Sequence, residues 1–219
     1  MIKLITDSGS DIPQKEAEEL GIIVIPILTL FSNVEYQDGV TITHEEFYNR
    51  LEEGKEFPKT CQVNPGTYDM VFHNEIDQGN EILCITLGSK LSGCFQSAKI
   101  AASNYSDKVS VVDSNNVCIA QRNLVMLAYS LIKEGKTRQE IVSILNKEKQ
   151  NVCVLAALDT LEYLQKGGRI SKAVAWIGGV LAIKPVVAVK DGEVKLIGKA
   201  RGYKNAHNLL TQFVKKSGG

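Results

Sequence analysis

Short β-branched and aliphatic runs, each answered by a helix-start signal, recur through the first two-thirds of this chain, and that alternation constrains its fold more than any other feature. Residues 2–6 form the first run. After it, Asp11 can cap a helix, Pro13 suits the first turn and Gln14 closes a capping box, so a helix is predicted over 14–20, stopping at Gly21. Residues 22–31 read as one buried strand interrupted only by Pro26. Thr43-x-x-Glu46 opens a helix that ends near Gly54, and Asn64-Pro65 is an N-cap followed by proline at the first helical position. Runs 81–87 and 108–113 are further strands, with helices after Asp113-Ser114-Asn115-Asn116 and after the box Thr137-x-x-Glu140. Strands alternating with helices predict an α/β fold: a mainly parallel sheet with helices on both faces, Rossmann-like, over residues 1–150.

The pattern changes after about Asn151. A short helix is capped by Asp159-Thr160, a Gly-rich apolar stretch runs over 167–181, and Asp191-Gly192 joins two strand runs as a hairpin. One more helix follows before the chain stops. A single hairpin is not stable alone, so residues 151–219 are expected to form a second, α+β domain that looks C-terminally truncated.

Apolar residues make up 44% and charged residues 23%, the composition of a folded globular chain. The first residues meet Asp7 before any long apolar stretch forms, so no secretory signal is expected, and no run approaches the roughly 18 apolar residues of a membrane span. Five scattered cysteines without C-x-x-C spacing read as free thiols of a cytoplasmic protein. The net charge of zero hides an asymmetry. Residues 1–80 carry 15 acidic and 5 basic side chains, and residues 151–219 carry 4 and 11. Two readings stay open: solvated surface, or a C-terminal part that faces an anion such as a phosphate or an acidic lipid surface.

Gly88-x-x-x-x-Gly93 has phosphate-loop spacing, but Cys94-Phe95 stands where Lys and Ser or Thr are needed, and G-x-G-x-x-G is absent. No cofactor is expected. Of the three histidines, His44 and His73 fall on acidic amphipathic helices and His207 on a late basic one, so a general base is wanting. An acyl-ester hydrolase using Ser92 or Cys94 remains the alternative to a binding protein. Nucleic acid is not an expected partner, because no helix-turn-helix signature stands out and the net charge is zero.

Small hydroxyl residues gather where strands give way to helices: Thr6-Asp7-Ser8, Thr60, Ser89, Ser92 and Asp113-Ser114. In open α/β sheets such strand ends line the ligand crevice. Asp113-Ser114 reads as an ordinary cap. At Ser92-Gly93, glycine permits close backbone approach and the helix start offers free amides, so an anion site and a plain cap are both open readings.

The ordered series resembles the DegV family of fatty-acid-binding proteins over essentially the whole chain. It comprises Thr6-Asp7-Ser8, Tyr36-x-Asp38-Gly39, Thr60-Cys61-Gln62, Pro65 and Tyr68, Leu91-Ser92-Gly93-x-x-Gln96-Ser97-Ala98, Val112-Asp113-Ser114, Leu161-x-x-Leu164-x-Lys166-Gly167-Gly168-Arg169-Ile170, Lys184-Pro185 and Lys199-x-Arg201. The resemblance implies a carrier, not an enzyme, that sequesters a long-chain fatty acid between its two domains. It presents the carboxylate to a separate fatty acid kinase for acyl phosphate formation and serves phospholipid synthesis, with transient visits to the membrane surface. It further implies that Thr60 and Ser92, beside Gly93, grip the carboxylate, and that Arg169 and Arg201 serve the kinase encounter and the phosphate-bearing head. Cys61 and Cys94 depart from the family's hydroxyls at those positions.

The physics of such a ligand is consistent. Burying roughly fifteen CH₂ groups at about 0.8 kcal/mol each contributes around 12 kcal/mol before ordering costs. Apolar residues at 117–131 and 173–183, the latter including Trp176, could line a tunnel or form ordinary core.

Overall fold

The computed structural model describes residues 1–54, 56–170 and 182–216, with the side chain of Ser106 excepted. It divides into two compact units, Met1–Val152 and Cys153–Gly219.

The first unit is built on four parallel strands in the order β2-β1-β6-β7: β1 (Ile2–Asp7), β2 (Ile23–Ile25), β6 (Glu81–Thr86) and β7 (Val109–Asp113). These runs are mostly apolar, with no alternation, because both faces are covered. On one face Leu4, Val24, Leu83, Ile85 and Val112 pack with α1 (Gln14–Leu20), α5 (Cys118–Lys133) and α6 (Arg138–Glu148). On the other, Ile5, Ile25, Ile82 and Cys84 pack with α3 (Pro65–Asp77) and α4 (Cys94–Ala102). From 117–131, Leu124, Val125, Ala128 and Leu131 belong to the first of these closed cores, so there the core reading holds. The stretch 173–183 lies almost wholly outside the described residues.

Three features differ from the sequence reading. Residues 22–31 are two strands, not one. Beyond Pro26, which has no N–H to continue the ladder, the chain leaves the parallel sheet. It forms β3 (Leu28–Phe31) in a separate antiparallel sheet with β4 (Val34–Gln37) and β5 (Lys59–Cys61). The Asp11–Gln14 capping box does not form. Asp11 closes a 3-10 turn (Ser8–Ser10) with a left-handed backbone, Pro13 is the N-cap of α1, and Gln14 Nε2 donates instead to the Val24 carbonyl (3.1 Å). The strand over 81–87 is not followed at once by a helix, because a loop of seven residues precedes α4. The boxes at Thr43–Glu46, which opens α2 (His44–Glu52), and at Thr137–Glu140 both form, as does the Asn64-Pro65 start of α3.

The second unit is an antiparallel sheet in the order β10-β9-β8: β8 (Leu155–Ala157), β9 (Ile183–Lys190) and β10 (Glu193–Arg201). Asp191 and Gly192 both take positive φ, the geometry of the predicted hairpin turn. Around the sheet stand α7 (Glu162–Lys166) and α8 (Gly202–Lys216), and Leu161, Ile170 and Val187 form a small buried cluster. Lys184 pairs with Asp159, and Tyr203 of α8 donates to the same carboxylate while its ring lies 4.3 Å from the Lys184 ammonium.

Candidate functional site

The winding of the parallel sheet reverses between β1 and β6: from β1 the chain moves outward to β2, from β6 the other way to β7. Their helices accordingly leave on opposite faces, and in open α/β sheets such a switch point is where ligands are held. The loop after β6 carries Ser92-Gly93, so the fold brings the hydroxyl-rich segments read from sequence to the position where α/β sheets hold ligands.

Asp7 ends β1 and is fully buried. Its Oδ2 accepts from the Leu87 amide (2.8 Å), and its Oδ1 accepts from the Gly9 amide (3.1 Å) and from Gln121 Nε2 (3.0 Å). Gln121 also donates to Thr6 Oγ1 (3.1 Å). Burial pushes the Asp7 carboxyl up to about 6, against the opposing pull of these hydrogen bonds. Ser8 is absorbed too, its hydroxyl accepting from the Ile27 amide (3.0 Å). Thr6-Asp7-Ser8 is thus a joint that ties the end of β1 to the loop after β6, the 3-10 turn and α5.

Above it, Gly88 N donates to the Asn116 carbonyl (2.8 Å), Ser89 N to Asp113 Oδ1 (3.1 Å) and Ser92 N to the Gly88 carbonyl (3.1 Å). Asp113-Ser114 is structural but not the helix cap expected, because the N-cap of α5 is Val117: Asp113 also accepts from Asn115 N, and Ser114 bonds within its own turn. Gly93 is the N-cap of α4 and brings no side-chain cap. The Ser92 hydroxyl lies 3.4 Å from Cys94 N and 3.2 Å from Cys94 Sγ. The next amides of the first turn, Phe95 and Gln96, have no intrahelical partner by helix geometry, and with Ser92 they make a set of neutral donors suited to an anion.

The third component comes from β5. Thr60 is exposed on that strand, opposite Thr29. Two residues on, Gln62 Nε2 donates to Ser97 Oγ of α4 (3.0 Å). The Gln62 amide occupies the place a side chain on Gly93 would take: a Cβ there would stand 1.7 Å from Gln62 Oε1. Gly93 therefore serves close approach of a neighbouring side chain, at an ordinary φ of −77°. The structure brings Thr60-Cys61-Gln62 to Ser92-Gly93 through this contact. In the sequence Gln62 and Asp7 stand only as parts of motifs, which do not show the contacts by which they position the site. One available signal was Gln121, an amide inside an apolar helix that requires a buried partner.

Nothing here resembles an activated nucleophile. Cys94 is buried, and burial, then the nearby Asp7 charge, raise its thiol above the ordinary range, opposite to what a thiolate needs. Among the described residues Ser92 Oγ bonds only to Cys94. His44 and His73 are exposed, paired with Asp38 (3.9 Å) and Asp77 (3.2 Å). In the second unit, Arg169 and Arg201 are both exposed; Arg169 donates to the Gly167 carbonyl and Arg201 ends β10. Among the described residues no helix is long and apolar enough to cross a membrane.

These features define an α/β protein whose first unit sets a hydroxyl and helix-start amides beside the switch point of a parallel sheet. The chain belongs to the DegV family, whose profile ("Uncharacterised protein, DegV family") it matches over residues 1–219. A DegV domain-containing protein of Caldanaerobacter subterraneus is 37% identical over 218 residues, 99% of this chain and 78% of that protein. Among solved structures, a DegV family protein from Thermus thermophilus described by its fatty acid binding superposes with a TM-score of 0.91 at 33% identity, over 99% of this chain and 77% of that one. A stearic acid-binding protein from Eubacterium ventriosum gives 0.91 at 30% identity, over 99% and 76%.

Proposed function

We propose that this chain holds one long-chain fatty acid, with the carboxylate taken by Ser92, Thr60 and the amides that follow Gly93 at the start of α4. The observation that carries this reading is the Ser92–Gly93 helix start at the sheet's switch point, with Gln62 drawing the Thr60 strand against it. A buried carboxylate requires donors, and hydroxyls and amides supply them without a cation. That similar proteins from Thermus thermophilus and Eubacterium ventriosum are described as binding fatty acids supports the same ligand here.

The chain acts as a carrier rather than an enzyme. The raised Cys94 thiol, and a Ser92 hydroxyl that among the described residues bonds only to Cys94, support that reading over the hydrolase alternative. Its partner is a separate fatty acid kinase that forms the acyl phosphate in the cytoplasm, for use in phospholipid synthesis after transient contact with a membrane surface. Arg169, Arg201 and their basic neighbours offset the negative head group and meet the kinase.

The test is palmitate affinity by titration calorimetry for the wild type and Ser92→Ala. Removing one donor from a buried carboxylate is expected to weaken binding by about 1–3 kcal/mol, with an unchanged melting temperature. Equal affinities would remove Ser92 from the site.

A further inference from the structure

Asp7 touches no part of the proposed ligand site, yet the loop that presents Ser92 begins on it. Its Oδ2 receives the Leu87 amide, buried and 80 residues away in sequence. From Leu87 the chain is tied at Gly88 to Asn116, and Ser92 N returns to the Gly88 carbonyl. The helix start is thus referenced to β1 through one carboxylate, across the strand pair where the sheet's winding reverses. The same carboxylate holds the 3-10 turn through Gly9 and α5 through Gln121.

We propose that Asp7 is a positioning residue that sets the Leu87–Ser92 loop, and thereby the carboxylate grip, only while it is ionised. The role rests on the fatty-acid reading of Ser92.

The chemistry lies in the donor count. All three partners of Asp7 are N–H groups, so both oxygens act as acceptors, the role of an ionised carboxylate. A proton added to either oxygen competes with an N–H already aimed there. Oδ2 has the single Leu87 donor, against two on Oδ1, and is where a proton fits with least disturbance. The cost of protonation therefore falls on the loop anchor. The titratable groups facing Asp7 are Tyr68 of α3, Cys84 of β6 and Cys94 of α4; α5 offers the neutral Gln121 and the 3-10 turn only an amide. None can carry a positive charge to hold the carboxylate ionised, and its titration near 6 follows from burial without such a partner.

The experiment is a pH series of cis-parinarate binding, followed by ligand fluorescence, for the wild type and Asp7→Asn, with amide NMR of the unliganded wild type. If only the ionised form is competent, affinity falls about fourfold from pH 7.5 to 5.5 and about tenfold by pH 5. Asp7→Asn, which places an N–H against the Leu87 amide, should bind weakly at every pH and show only the ligand's own titration. The Leu87 and Ser92 amide shifts should titrate together in the wild type. If binding is tight but the wild type and Asp7→Asn share one pH profile, the role of Asp7 is overturned and the fatty-acid reading stands. If Asp7→Asn does not fold, flat Leu87 and Ser92 shifts between pH 5 and 7.5 overturn it instead, and a shared titration supports it. No binding by the folded wild type at any pH removes the fatty-acid reading, and this role with it.

Discussion

Gly93 illustrates how one missing side chain organises the site. Its backbone would accept alanine, so the effect of Gly93→Ala comes from the collision with Gln62. Gln62 is exposed and flexible and can swing away, giving up its bond to Ser97. The expected loss of stability is about 1 kcal/mol, with a larger loss of fatty acid affinity as the Thr60 strand is released. In a Gln62→Ala background the same substitution should be nearly silent, because the clash has gone. Additive effects in that double-mutant cycle would refute the contact. Asp7 makes a second residue-scale prediction. Its carboxyl is raised from 3.8 to about 6 on folding, so the stability it contributes is full below 3.8 and is lost as pH rises through 6. Relative to Asp7→Asn, the wild type should lose about 2 kcal/mol between pH 4 and 7 in urea titrations. Parallel stability curves would show that Asp7 is ionised without penalty.

Among elements, α6 is held to the sheet edge by a charge rather than by apolar contact alone. Arg138 in its first turn is 4% exposed and donates to Glu81 Oε2 of β6 (3.0 Å) and to the Ser110 hydroxyl of β7. Truncating it removes the donor from the Ser110 hydroxyl and from the half-exposed Glu81, which water can still reach, so Arg138→Ala should destabilise by about 1–2 kcal/mol, measured by chemical denaturation. A change under about 0.5 kcal/mol would mark the pair as ornamental. At this scale the sequence was most legible where one local signal sufficed. The boxes at Thr43 and Thr137, the Asn64-Pro65 start and the Asp191-Gly192 turn are each complete within four residues. It was least legible where tertiary pairing decides. β4 and β5 are short and largely exposed, and β5 is only Lys-Thr-Cys, so neither shows an apolar run. Pro26 was visible, but that the chain changes sheets there depends on partners far along the sequence. Asp11 lost its capping role because the 3-10 turn claimed it first.

For the molecule as a whole, the candidate site depends on segments from β1, β5, β6 and α4 that only the folded first unit assembles. The hydroxyls at the strand ends could be read from sequence because strand-to-helix junctions mark where a parallel sheet opens. Their division of labour could not. Ser8, Asp113 and Ser114 are consumed by turn and loop contacts, whereas Ser92 stands at a helix start with amides to spare, a distinction made by hydrogen-bond partners and not by residue type. The central claim, that this assembly holds one long-chain fatty acid, is tested most directly by native mass spectrometry of the purified chain, followed by denaturing extraction and lipid identification. The account predicts a mass excess equal to one fatty acid per chain, or its appearance when palmitate is added. A chain that emerges empty and takes up no palmitate contradicts it.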